Sequence, residues 1–345
     1  MLLRRHLSIL TVLVALGAPS SWPAASEPTD KEIYEFSDVP LETTIKHPDW
    51  FKDDIFLDLG DDIREAADAG KTGIIVYFGQ QRCPYCQKLM KINFGLSDIV
   101  EYTRAHFDVV PIDIWSIEEV TTPDGRTLTQ REYAIALNTN FTPSLVFYNT
   151  QGKMAFRLRG YYPPYQFRAA LEYVVDGFYH SETFASYLER GDHSRIFEAG
   201  DLNEEDFFES PPYMLDRSHF PADKPLAVFF EQADCHACDV LHTGPLRKES
   251  VQQLLASMSS VQLDMWSDTP VITPSGERTT AKGWAKALGL FYAPTLIFFD
   301  EKGKEIIRVD SVVRLIRLSN VLKYISSGAY REYPDLQSWR ASQDL

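Results

Sequence analysis

The chain repeats itself. Asp113-Ile114-Trp115-Ser116 returns 151 residues later as Asp264-Met265-Trp266-Ser267. At the same spacing Pro123 and Gly125 match Pro274 and Gly276, and Ala134 and Leu137 match Ala285 and Leu288. Pro143 matches Pro294, Gly152-Lys153 matches Gly303-Lys304, and Gly177 and Tyr179 match Gly328 and Tyr330. Across 113–157 the ungapped comparison holds 17 identities in 45 positions, which only duplication of a structural unit explains. The four cysteines obey the repeat as well. Cys83 and Cys86 form one C-x-x-C pair, Cys235 and Cys238 the other, 152 residues on, so one residue is gained before the tryptophan motif. A chain of 345 residues therefore holds two units of about 150 residues each, an ordinary domain size.

Each unit alternates strand and helix. In the first, Ile74 to Phe78 is a continuous apolar run, the mark of a strand covered on both faces. After Cys83 a helix is expected over Gln87–Phe94, then a strand over Val109–Ile114 and a helix over Gln130–Leu137. Strands over Ser144–Tyr148 and Met154–Leu158 and a helix in Gln166–Tyr179 close the unit. Leu57–Ala69 is amphipathic and predicts a further helix ahead of it. The second unit follows the same order: Leu226–Phe230, a helix from Asp239, Val261–Met265, Ala281–Leu288, Thr295–Phe299, Glu305–Val309 and a helix in Val312–Ile325. Gly191, Gly200, Pro211, Pro212 and Pro221 punctuate polar sequence, so 191–223 is expected to link the units.

A 44% hydrophobic share fills two ordinary cores, and 34 Lys and Arg against 49 Asp and Glu give a net charge of −15. That sign excludes a nucleic-acid partner, which needs clustered cations. At the start, Arg4 and Arg5 precede the apolar stretch Leu7–Ala18 and small residues ending at Ala24-Ala25, the pattern of a cleaved signal peptide over 1–25. The style fits bacterial export, hence the periplasm. Later in the chain no run of 18 apolar residues occurs, so no stable membrane insertion is expected. The expected organisation is signal peptide 1–25, first domain 26–190, linker 191–223 and second domain 224–345.

The order β–(C-x-x-C)α–β–α–β–β–α resembles the thioredoxin-like superfamily in both copies. It implies an α/β fold of two tandem thioredoxin-like domains, each a central mixed sheet flanked by helices. Phe78-Gly79-Gln80-Gln81-Arg82-Cys83-Pro84-Tyr85-Cys86 and the Asp-x-Trp-Ser insert resemble the exported, SoxW-like group. A first cysteine at a strand end and helix start meets unpaired N–H groups and a partial positive charge, which favour thiolate over thiol. Cys83 and Cys235 are thus expected to be exposed nucleophiles, with Cys86 and Cys238, one turn on, as resolving thiols. The resemblance assigns Thr142-Pro143 and Ala293-Pro294 as cis-proline sites whose backbone binds an extended substrate. Thr142 resembles the residue of exported disulfide isomerases; Ala293 departs from it. Tyr85 and His236, inside the loops, are candidate substrate-contacting and potential-tuning residues. Tyr77 and Phe229 stand where thioredoxins carry a buried Asp. Glu231 is either a substitute for it or an exposed strand-end charge.

The function these residues imply is a periplasmic thiol:disulfide oxidoreductase, chiefly a reductase, acting on protein or small-molecule disulfides and recharged by a DsbD-type membrane donor. A disulfide isomerase, or a copper- or client-binding module without turnover, is the alternative. Ala293 and His236 also leave open a second copy that serves only as a structural partner. No cofactor is implied. A zinc site shared by all four cysteines would force two complete repeats face to face, so no metal is assigned. Gln87 and Asp239 stand where haem attachment needs His. Trp115 and Trp266 either pack the insert onto its domain or form an aromatic rim for substrate or inter-copy contact.

Overall fold

A computed structural model of the chain describes residues 27–52, 56–191 and 198–343. The expected signal peptide lies outside the described residues. After α1 (Asp30–Tyr34) come β1 (Leu57–Asp58) and α2 (Leu59–Asp68), whose first turn is capped by the Asp58 carboxylate. The central strand β2 (Gly73–Gly79) is buried along its whole length. α3 (Pro84–Lys88) runs on through a π-turn at Leu89–Asn93, followed by α4 (Ser97–His106) and β3 (Phe107–Asp113). A hairpin of β4 (Glu119–Thr121) and β5 (Thr127–Thr129) leads into α5 (Gln130–Ala136). Then β6 (Ser144–Asn149), β7 (Met154–Arg159), α6 (Pro164–Val175) and α7 (Phe184–Gly191) complete the unit.

The second unit has β8 (Tyr213–Met214), β9 (Leu226–Glu231), α8 (His236–Thr243), α9 (Glu249–Leu255) and β10 (Ser259–Asp264). It continues with β11 (Pro270–Ile272), β12 (Arg278–Thr280), α10 (Ala281–Ala287) and β13 (Thr295–Phe299). It ends with β14 (Glu305–Val309), α11 (Leu315–Ser326) and α12 (Leu336–Ser342). The sheets are ordered β3-β2-β6-β7 and β10-β9-β13-β14. In each the first pair is parallel and the other two antiparallel. Two α/β units of one topology follow each other in the chain.

Period-two alternation on the central strands builds two cores per unit. Ile75 and Tyr77 point into one layer, Ile74, Val76 and Phe78 into the other. On β9, Ala227 and Phe229 oppose Leu226, Val228 and Phe230. α4 and α9 are helices that the sequence reading did not contain. Each buries only two side chains, Ile99 with Thr103 and Val251 with Leu255, so its apolar stripe is faint. Inside the 191–223 segment, β8 pairs in parallel with β11 and extends the small sheet β8-β11-β12, as β1 does for β4-β5. A two-residue strand leaves no period to read.

Where the units pack on each other, three consecutive residues meet their own counterparts 151 positions on. Arg159 Nη1 is 3.4 Å from Asp310 Oδ2, and Val312 N–H donates to the Tyr161 carbonyl at 3.1 Å. Between them Gly160, at φ +107°, faces Ser311; a Cβ there would lie 2.0 Å from Ser311 Oγ. Gly160→Ala is therefore expected to cost about 1–3 kcal/mol by forcing the seam apart. Thermal unfolding checks this, and an unchanged Tm would count against the packing described. Phe141 is buried in the second unit's core and Tyr292 in the first's, so each unit lends the other the aromatic two residues before its proline.

Candidate active site

Both C-x-x-C pairs sit where a buried strand hands over to a helix. Cys83 is the N-cap of α3 and its Sγ accepts the Cys86 N–H at 2.9 Å. Cys235 caps α8 in the same way, with the Cys238 N–H at 3.1 Å. A sulfur in this position takes one of the orphan N–H groups and feels the positive helix end, which is the electrostatic support a thiolate needs. Each pair is closed as a disulfide within its own motif, Cys83–Cys86 and Cys235–Cys238, rather than gathered into one four-sulfur cluster.

The prolines face the sulfurs. Thr142-Pro143 and Ala293-Pro294 are cis. Cys83 Sγ lies 3.6 Å from the Thr142 carbonyl oxygen, and Cys235 Sγ 3.6 Å from that of Ala293. The Thr142 hydroxyl adds a contact of 3.3 Å to Cys83 Sγ that Ala293 cannot supply. In both units the insert tryptophan is tied to the residue three before the first cysteine. Trp115 Nε1 donates to Gln80 Oε1 at 2.7 Å, and Trp266 Nε1 to Gln232 Oε1 at 3.0 Å. The tryptophans thus pack the insert against the dithiol loop; Trp115 also carries the Arg340 guanidinium of the other unit at 5.7 Å.

The two sites differ in what covers them. Over the first lies α11 of the second unit. Arg317 Nη2 donates to the Thr142 carbonyl at 2.7 Å, and its guanidinium carbon is 3.4 Å from the centre of the Tyr85 ring. Tyr85 OH donates to Asp38 at 3.0 Å and accepts the Arg314 N–H at 2.9 Å. Burial pushes the Tyr85 phenol well above its ordinary pKa, which keeps it a donor. Asp38 also accepts the N–H groups of Ile316 and Arg317, so it caps a helix whose own N-cap, Arg314, offers no side-chain bond. Cys83 is consequently 1% exposed. The expectation of an exposed nucleophile fails at both sites: Cys83 lies under the other unit, and Cys235, at 8% exposure, is buried as well though less completely. Arg317→Ala removes a charged hydrogen bond of about 1.5 kcal/mol from this seal. It is expected to raise the alkylation rate of reduced Cys83 about tenfold, and an unchanged rate would rule out the seal.

Over the second site lies a cleft of about 370 Å³, against about 80 Å³ at the first. His236 lines it, its ring 5.6 Å from that of Tyr34 and its Nε2 3.9 Å from Glu35. Glu231 is fully buried rather than an exposed strand end. Its carboxylate meets His242 Nε2 at 3.0 Å and the Gln262 amide at 3.0 Å, while His242 Nδ1 is 3.2 Å from Glu205. Burial opposes charging His242, yet the hydrogen bonds and charge of Glu231, then Glu205, raise its pKa above the ordinary value.

Sequence reasoning found the cysteines, prolines and loop residues but missed Asp38 and Arg317. A signal existed for one of them. Arg317 stands four residues before Val321 on the apolar face of α11, where a cation is out of place unless it meets a buried acceptor. Asp38 lies outside any periodic segment.

Paired cysteines capping helices beside cis-prolines, on this topology, define a thiol–disulfide oxidoreductase type of site. The thioredoxin-like domain family model matches residues 59–175 and 221–326, well over half of the chain. The chain belongs to that family, twice over. Similar solved structures include a thioredoxin-fold protein from Helicobacter pylori, at 23% identity over 41% of this chain and 91% of that one, TM-score 0.34. A thioredoxin from Thermus thermophilus is 23% identical over 40% of this chain and 96% of that one, TM-score 0.29. An oxidoreductase, DsbH, is 19% identical over 40% and 92%, TM-score 0.26. No curated protein matches the sequence.

Proposed function

We propose that the chain is an exported thiol:disulfide oxidoreductase that works in the periplasm as a reductase, once a signal peptide over 1–25 is removed. The observation that carries the chemistry is the pairing, in each unit, of a helix-capping sulfur with the carbonyl before a cis-proline. The reduced dithiol attacks through the first cysteine: its thiolate bonds to one client sulfur, the client S–S bond breaks, and the departing thiolate takes a proton. The second cysteine, as thiolate, then attacks the first, releasing the other client thiol and closing the protein disulfide. Two electrons have passed from protein to client. Thiols of another protein must reopen that disulfide, and a membrane carrier of the DsbD kind is the proposed source.

The direction rests on the resemblance to SoxW-like exported proteins and on potentials, since 30 mV shifts a two-electron couple by about 1.4 kcal/mol. The test is reduction of insulin disulfides by the full chain with an added dithiol, alongside the chain with all four cysteines changed to Ser. Activity that survives in the quadruple variant removes this reading. Potentials of both dithiols above those of the client disulfides would make the chain an oxidant instead.

A further inference from the structure

The sealed first site contains its own ligand. There a guanidinium, Arg317, lies against the loop ring Tyr85 and donates to the carbonyl before the cis-proline, the backbone acceptor beside the nucleophilic sulfur. The duplication supplies the comparison. The counterpart of Arg317, 151 residues earlier, is Gln166 on α6, in the wall of the cleft over Cys235. Gln166 is shorter and uncharged, and the described residues place only Cys235 Sγ, at 3.6 Å, against the Ala293 carbonyl. Gln166 is 2% exposed, and among the described residues its side-chain oxygen meets no hydrogen-bond partner. Among the described lining residues the formally charged ones are Asp30, from the first unit, and Asp234, from the second. Glu35 stands behind His236. A cleft furnished with acceptors and acids, beside an acceptor that arginine fills in the sister site, selects cations.

We propose that this inter-unit cleft is the client site, and that it takes an extended polypeptide segment with an arginine or lysine close to its disulfide. The cationic side chain repeats at Ala293 what Arg317 does at Thr142, Asp30 and Asp234 attract it, and the client sulfur then meets Cys235. The electron balance is that of the exchange already written, on which this inference rests: the Cys235–client bond forms, the client S–S bond breaks and its leaving thiolate is protonated. The first unit is thus part of the second unit's binding site, which explains why the two are packed as one body and not strung apart.

The test uses the full chain with Cys83 and Cys86 changed to Ser, reduced, and mixed with two synthetic peptide disulfides of equal length. One carries Arg on both sides of its cysteine, the other Glu. At low ionic strength the Arg peptide is expected to react about tenfold faster, an advantage that shrinks at high salt as the charges are screened. Asp30→Asn with Asp234→Asn is expected to cut the ratio below about threefold. Equal rates for the two peptides, or a ratio that the double substitution leaves intact, overturns the proposal alone. Failure to react with either peptide overturns the oxidoreductase reading and this proposal with it.

Discussion

Cys235→Ser is expected to slow disulfide exchange with a polypeptide client by about a hundredfold or more, and Cys83→Ser by less than about threefold. Both cysteines cap helices, and both face a cis-proline carbonyl at 3.6 Å, so the backbone supports a thiolate in the same way at each. Access separates them. Cys83, 1% exposed, lies under Arg317 and Tyr85 beside a cavity of about 80 Å³, whereas Cys235, 8% exposed, lines a cleft of about 370 Å³. Removing the nucleophile from the open site takes away the covalent route; removing it from the sealed site takes away a route little used. Turnover of a reduced protein substrate by the two variants, followed by free-thiol titration, checks the asymmetry. Equal losses from both substitutions would mean that the units separate freely in solution.

His242→Ala is expected to cost the chain about 3–5 kcal/mol, because it strips a buried carboxylate of its counter-charge. Glu231 is fully buried, and among the described residues the Gln262 amide would remain as its side-chain partner. On the other side of His242, Glu205 would keep, among the described residues, the Arg247 guanidinium 3.8 Å away. The same network predicts a pH dependence. The folded pKa of His242 is raised above the ordinary imidazole value of 6.5. Its contribution to stability is therefore complete below about pH 6.5 and is lost as pH rises through the raised folded value. His242→Gln, which keeps a hydrogen-bond donor but does not titrate, should flatten that loss. Denaturant midpoints measured from about pH 5.5 to about 9 test both statements; a wild-type midpoint that rises over this range would oppose them.

Much of the architecture was legible because the chain states it twice. The runs Ile74–Phe78 and Leu226–Phe230 read as strands covered on both sides; the helices after them begin at Pro84 and His236, three residues ahead of the expected Gln87 and Asp239, because the first cysteine of each pair is the N-cap. What stayed hidden is of two kinds. α4 and α9 bury too little to print a stripe, and β1 and β8 are too short to show alternation. The greater gap is between units. Nothing local in Asp38 tells that it caps α11 through an Ile316 N–H 278 residues ahead, and nothing in Thr142 tells that its carbonyl is taken by Arg317. The odd residues Ala293 and His236 drew doubt to the second copy, yet the occluded site is in the first. Tertiary packing between duplicates assigned the difference, and it did so with residues that the duplication does not share: Arg317 against Gln166, Tyr85 against Ala237.

The unequal covering of the two dithiols should set the order in which they are reduced. The oxidised full chain is treated with limiting small thiol, quenched by alkylation at intervals, and each cysteine pair is quantified by peptide mass. Cys235–Cys238 should open at least about tenfold faster than Cys83–Cys86, with the lag abolished by Arg317→Ala. Reduction of both pairs in step, or of Cys83–Cys86 first, would contradict the account.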